Sequence, residues 1–346
     1  MHRALRHLSN VVLLGAILFA LPVAAGAQAL HFGYLGDFKL QDGSLVRDCR
    51  IGYRTMGHLD AARSNVILLP TWYTGTSQDA LSLVGPKKLF DTSRYYVVVV
   101  DALGDGVSSS PSNSSLQPRM HFPKFGIADM VAAEHALLTQ VLHIDHVKAV
   151  AGLSMGGMQT FQWIVSYPAF MDDAVAIVGS PRLAPYDLLL WQSDIDSVEK
   201  SAAWNHGDYR ENPDLVGQAE FNALFMTTPE RYNSTTTRSQ VLSQLEAAKR
   251  RPGFDANDRI RQAQAMMALD VSRPFGGSMQ AAAATVKASV LVVGSEFDRV
   301  VSSGPATAFA HLVHAKLFEL HGDCGHIAPW CEAGTLAPVV AAFLAR

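Results

Sequence analysis

Three cysteines, at 49, 324 and 331, are all that 346 residues contain. They are too few for a disulfide scaffold and lack the paired Cys/His spacing that holds zinc. A basic stripe is also missing. Lys and Arg number 28 against 31 Asp and Glu, for a formal net charge of −3. Phosphate binding relies on clustered cations, so nucleic acid is excluded as a partner. Charged residues make up only 17% and hydrophobic ones 49%, a globular composition with ample length to bury a continuous core. Past the N-terminus no stretch reaches the roughly 18 consecutive apolar residues of a spanning helix. Internal repeats and low-complexity segments are absent too. No metal or cofactor is implied.

The first thirty residues read differently. His2, Arg3, Arg6 and His7 precede an apolar run from Val11 to Leu21, and the first acidic residue is Asp37. Small residues follow Pro22 and end in Ala27-Gln28-Ala29. A basic start, a short apolar centre and an A-x-A end describe a secretory signal peptide over 1–29, cleaved near Ala29. The expected mature protein is exported (periplasmic or secreted) with no stable membrane anchor, since the run is short and no cysteine near the cleavage site could carry a lipid.

After that, strand and helix signals alternate. Leu45–Tyr53, Val66–Leu69, Tyr95–Asp101, Val147–Ala151 and Ala174–Val178 read as strands. Several are apolar without alternation, as strands covered on both faces should be. A helical stripe runs from Ile127 to Leu142, and Gly156–Tyr167 is a second helix. The alternation breaks over 183–272, a mostly helical and polar stretch. It then resumes with Met279–Val286, Ser289–Gly294, Ala306–Val313, Lys316–Leu320 and a terminal helix from about Leu336. Repeated β-α units predict an α/β fold, a mostly parallel sheet with helices on both faces. Residues 30–182 and 273–346 would form this core, with 183–272 inserted as a helical lid.

Gly152-Leu153-Ser154-Met155-Gly156 fits G-x-S-x-G, entered by a strand and left by a helix. That context suits a nucleophile elbow, where Ser154 sits on a strained turn and the Met155 N–H can donate to an oxyanion. The bland alternative is a glycine turn with a serine helix cap. A serine nucleophile needs a base and an orienting carboxylate, in the order Ser, acid, His. Strand 289–294 runs into Ser295-Glu296-Phe297-Asp298, which offers Asp298 first and Glu296 second. Strand 316–320 leads to His326 beside Gly325, with His321 as the weaker choice. His143, His146, His311 and His314 read as solvated or capping residues. Gly104-Asp105-Gly106 lacks the third glycine of a dinucleotide loop.

With these residues placed, the chain resembles the homoserine O-acetyltransferase family of α/β-hydrolase-fold proteins, as a divergent, exported member. The resemblance rests on Tyr53–Gly57 with Asn65–Leu69, Gly85–Tyr96, and the distinctive elbow Ser154–Gln159 (SMGGMQ). It continues through Trp204–Tyr209 (WNHGDY), Asp255–Asp258 (DAND), Lys287–Gly294 with Asp298, and Gly325-His326. It implies an α/β-hydrolase fold, a Ser154–Asp298–His326 triad, a helical lid, a second oxyanion donor from Thr71–Gly75 (the Tyr73 N–H), and a homodimer paired through the lid. Three departures weaken homoserine as substrate. Gly217–Thr228 carries no Arg or Lys to hold an acceptor carboxylate, Asp101–Ser110 lacks the transferase glycine and cysteine pattern, and Ile327-Ala328-Pro329 follows His326.

Hydrolase and transferase share the first half-reaction, an acyl-serine formed from an ester. Acetyl-CoA is a cytosolic anion, so an exported protein would lack the usual transferase donor. The sequence therefore predicts a carboxylic ester hydrolase acting on a small-molecule ester. An O-acyltransferase of the homoserine type, using acetyl-CoA, is the alternative, and a non-catalytic binding protein is the third reading. Cys324 and Cys331 would bridge across His326 in an oxidising compartment, or else stay as two partly buried thiols.

Overall fold

The computed structural model describes residues 28–213, 217–249 and 253–346. Of the expected signal peptide, residues 1–27 lie outside the described residues. Strands β1 (His31–Lys39), β2 (Leu45–Met56), β3 (Val66–Pro70), β4 (Tyr96–Val100), β5 (Val147–Leu153), β6 (Met171–Ile177), β7 (Ser289–Ser295) and β8 (Lys316–Leu320) form one sheet in the order β1-β2-β4-β3-β5-β6-β7-β8. The strands from β3 to β8 are parallel, while β2 runs antiparallel to both β1 and β4.

Successive side chains on a strand point to opposite faces, and here both faces are covered. Val98 and Val100 enter one core with Leu68 and Val150, packed by helices Ile127–Ala136, Met155–Ser166 and Ser303–Leu312. Val97 and Val99 enter the other with Ile67 and Leu69, packed by Ala333–Leu344. This is why the central strands are unbroken apolar runs. The insertion between β6 and β7 carries helices Pro185–Glu199, Gln218–Phe225, Pro229–Thr235, Val241–Lys249 and Ala256–Met267. Its two ends meet: Arg182 and Asp270 form an antiparallel bridge, and Val271 N–H donates to the Pro181 carbonyl at 3.2 Å.

The structure corrects three sequence-based boundaries. Strand β1 has no counterpart in the reading above. It is a half-exposed edge strand whose pairing with β2 is irregular on both sides of Gly36, so it shows no clean alternation. The expected helix 127–142 is α-helical only to Ala136 and widens to a π-helical turn over Leu137–Val141, where Leu137 and Leu138 stay buried. The apolar stripe runs straight through this change, so periodicity does not register it. Helix Ser303–Leu312 begins earlier than expected, on Ser303-Gly304-Pro305, residues that read as loop.

One buried acid ties the face helices together. Glu134 accepts a hydrogen bond from Trp163 Nε1 at 2.7 Å, between Ile127–Ala136 and the helix that follows Ser154. Burial pushes its carboxyl up to about 8, against the opposing Trp163 bond. A carboxyl raised in the folded state favours folding at low pH, and that contribution is lost as pH climbs from its unfolded value towards about 8. Glu134→Gln keeps an acceptor for Trp163 without a charge. In thermal melts it is expected to match the parent near pH 5, gain on it up to about pH 8 and run parallel above. Identical melting at every pH would show that burial does not raise the Glu134 carboxyl in the folded state.

Cys324 and Cys331 are disulfide-bonded, with Cα atoms 6.5 Å apart, while Cys49 is a free, buried thiol pushed up to about 12 by desolvation. The bridge closes a short loop around His326, a constraint worth roughly 2–3 kcal/mol in unfolded-chain entropy. Denatured protein is expected to titrate one thiol without reductant and three with it. Three thiols without reductant would leave the bridge unformed.

Candidate active site

The loop between β5 and helix Met155–Ser166 places Ser154 at φ 54°, ψ −119°, a conformation an L-residue holds only when its surroundings enforce it. The enforcement is visible. The Ser154 N–H donates to the Ile177 carbonyl of β6 at 2.9 Å. A Cβ on Gly152 would collide with the Gly156 carbonyl, and one on Gly156 with the Pro70 carbonyl of β3. The elbow thus closes only where three backbone segments touch without side chains between them.

His326 stands over this turn. Its Nε2 is 2.9 Å from Ser154 Oγ and its Nδ1 is 2.7 Å from Asp298 Oδ2. Asp298, just past β7, has its other carboxylate oxygen held by the N–H groups of Val300 and Val301 at 2.8 and 3.0 Å. Ser295 at the end of β7 donates through Oγ to the Gly325 carbonyl at 2.8 Å, which fixes the residue before His326. The His326 and Asp298 side chains are only 4% and 2% exposed, so little water competes for these bonds. The second-choice residues, Glu296 and His321, pair with each other at 2.9 Å on the exposed surface, away from Ser154. Of the remaining histidines, His146 contacts Asp172 at 3.0 Å on the surface.

The loop after β3 is the expected oxyanion side. Within Thr71–Gly75, the N–H groups of Thr71, Thr74 and Gly75 donate to protein oxygens. Those of Trp72 and Tyr73, like that of Met155, have no acceptor among the described residues. Gln159, the last residue of the SMGGMQ elbow, donates to the Thr71 carbonyl at 3.0 Å. The extended elbow sequence therefore braces this loop as well as presenting the serine.

A cavity of about 1070 Å³ opens over Ser154 and His326. Trp72, Tyr73, Ile327 and Trp330 line it beside the helix Gln218–Phe225. Of the lid's apolar side chains, Trp191 and Phe221 line the cavity with Met226. Trp204 is instead buried in the lid, donating to Asn257 Oδ1 at 2.8 Å. Asn257 returns a bond to the Gly207 carbonyl, and Tyr209 donates to Asp255 at 2.8 Å. The WNHGDY and DAND segments are thus two halves of one joint.

The sequence did not reveal that an arginine also reaches the cavity. Arg259 lines it, but Nε and Nη2 are both spent on the Asp194 carboxylate at 3.0 and 2.9 Å. Asp194 also accepts from Tyr73 OH at 2.8 Å and Gln218 at 3.1 Å. Burial, followed by the Asp194 charge, pushes the Tyr73 phenol well above its ordinary range against the opposing Arg259 charge, so it stays a donor. Lys249, the other lining cation, lies 3.0 Å from Glu220. Asp194 and Arg259 are 65 residues apart, and no local pattern pairs them.

Comparison with known proteins fits this arrangement. An ethyl acetate hydrolase of Pseudomonas veronii is 32% identical over 77% of this chain and 79% of its own length. A homoserine O-acetyltransferase of Corynebacterium efficiens is 29% identical over 80% of this chain and 82% of its own. Among solved structures, an acetylester hydrolase from Corynebacterium glutamicum superposes with a TM-score of 0.84 at 28% identity, covering 91% of this chain and 95% of that one. The α/β-hydrolase fold model matches residues 66–333. With that match, the sheet order and the elbow geometry together, the chain belongs to the α/β-hydrolase fold family.

Proposed function

We propose that the protein is a carboxylic ester hydrolase in which Ser154 is the nucleophile, His326 the general base and Asp298 its orienting partner. The observation that carries this reading is the unbroken hydrogen-bond chain from Ser154 Oγ through His326 to Asp298 at the floor of the cavity. His326 takes the Ser154 proton as Oγ attacks the ester carbonyl. The Met155 and Tyr73 N–H groups receive the developing negative charge, each worth about 3–4 kcal/mol by analogy with other oxyanion holes. Asp298 holds the Nδ1–H tautomer and stabilises the imidazolium. His326 then protonates the departing alcohol, and water, activated by the same imidazole, releases the acid from the acyl-serine.

Hydrolysis is favoured over acyl transfer by the charge balance of the cavity. A transferase that takes an amino-acid acceptor needs a free cation for its carboxylate. Here Arg259 is paired with the Asp194 carboxylate through Nε and Nη2, and Lys249 faces Glu220. The ethyl acetate hydrolase and acetylester hydrolase among the relatives support a small-molecule ester as substrate. Export fits the same reading, because the N-terminal segment has the pattern of a cleaved signal.

Ser154→Ala is expected to lower steady p-nitrophenyl acetate turnover on the order of 10⁴-fold or more, and Asp298→Asn by about 10⁴-fold, with both variants folded. Added homoserine should leave the rate unchanged. A burst that stalls until homoserine is supplied would replace this reading with an acyltransferase, and full activity in Ser154→Ala would remove the nucleophile assignment. Expressed with its leader in a bacterial host, the protein is expected in the exported fraction, starting at Leu30. An intact Met1 N-terminus in the cytosol would refute export.

A further inference from the structure

The oxyanion loop is clamped from two sides, and the lid supplies one of them. On the core side, Thr71 is held by Gln159 and by the Val100 carbonyl, and its own Oγ1 accepts from the Ala102 N–H. On the lid side, two bonds bracket the peptide that joins Tyr73 to Thr74. The Thr74 N–H donates to Gln262 Oε1 at 2.9 Å, and the Tyr73 hydroxyl donates to Asp194. Thr74 itself sits at φ 60°, a left-handed conformation that needs an external hold. Gln262 is wholly buried on helix Ala256–Met267, and its amide nitrogen reaches the Leu103 carbonyl at 3.4 Å. That second bond sets which end of the carboxamide faces Thr74.

Resting on the catalytic reading above, we infer that Gln262 is a positioning residue for the oxyanion hole, which a lid helix thereby aims. Without an acceptor at Thr74, the 73–74 peptide is free to relax from its strained setting, and the shift passes through the Tyr73 Cα to the neighbouring 72–73 peptide that carries the Tyr73 N–H. The substrate carbonyl is nearly neutral when it binds, while the tetrahedral intermediate carries a full negative charge on that oxygen. Misaiming the donor therefore costs the transition state much more than the bound ester. The inferred effect is on reaction rate and on charged adducts, with ordinary ligand binding spared.

The test compares Gln262→Met, similar in size but unable to accept, with Gln262→Glu, which keeps an oxygen facing Thr74. Four quantities are read in each: kcat and KM for p-nitrophenyl acetate, affinity for an aryl trifluoromethyl ketone, and competitive inhibition by benzyl alcohol. The ketone adds Ser154 Oγ to its carbonyl carbon, placing an oxyanion in the hole and the serine proton on His326. Gln262→Met is expected to lose about 10–100-fold in kcat and in ketone affinity, with KM and alcohol inhibition within about twofold. Gln262→Glu should recover most of the loss. Parental kcat and ketone affinity in Gln262→Met would overturn the inference. So would a parallel fall in ketone and alcohol affinity, the mark of a deformed cavity. Should Gln262→Met not fold, Tyr73→Phe severs the other lid bond and keeps the backbone; it is expected to lose kcat and ketone affinity in the same ratio, and parental values would count against the clamp. Ser154→Ala run alongside separates the two levels: if it is inactive while the clamp variants are parental, only the present inference fails.

Discussion

Contact between bare backbones at the elbow is the constraint on which everything else in this molecule rests. Helix Met155–Ser166 lies so close to β3 and β5 that Gly152 and Gly156 have no room for a Cβ. Gly157 and Gly179 repeat the arrangement one step away, where a Cβ on Gly179 would sit 2.6 Å from the Gly157 backbone. This closeness forces Ser154 into its strained conformation and aims the first turn of the helix at the same point. It also brings Gln159 within reach of Thr71, so the serine and the loop opposite it are set by one packing event. Strain of this kind costs on the order of 1–3 kcal/mol and persists only where surrounding packing over-determines it.

The lid is held by the opposite means. Its helix Ala256–Met267 is among the most polar in the chain and also among the most buried, with Asn257, Asp258, Arg259, Arg261 and Gln262 all inside. Each finds a partner on a different element: Trp204, Ser112, Asp194, the Met120 and Phe122 carbonyls, and Thr74. A buried polar group left unpaired costs more than its bond returns when made, so these contacts specify one seating of the helix. An apolar helix would slide more easily. Asp258 illustrates the cost: burial, with the Asp255 charge adding to it, pushes its carboxyl up to about 8 even though two Ser112 bonds oppose the shift.

What the sequence discloses and what it withholds divide along the same line. Ser154, Asp298 and His326 each lie within six residues of the end of a parallel strand, so short motifs beside apolar runs suffice to single them out, and the structure brings the three together. Asp298 is distinguished from Glu296 only by the turn after β7, where Val300 and Val301 turn its carboxylate inward. Arg259, Asp194 and Gln262 are invisible to any local reading. Their partners lie 65 and 188 residues away, and polar residues at helical spacing read as a solvated face. Strand β1 escapes for a related reason, because an irregular edge strand lacks the alternation that marks a regular one.

The bridge between Arg182 and Asp270 bears on how such a protein can diversify. Because the insertion leaves and rejoins the core at adjacent points, neighbouring backbone segments about 5 Å apart are all that the core requires of it. A longer, shorter or differently folded segment with its ends that close could be grafted at the same place without disturbing any strand register. Substrate range and the serine machinery can therefore drift at separate rates. The lid's grip on the Thr71–Gly75 loop sets the limit of that freedom: a replacement segment must arrive with its own acceptor for Thr74, or inherit a slower enzyme.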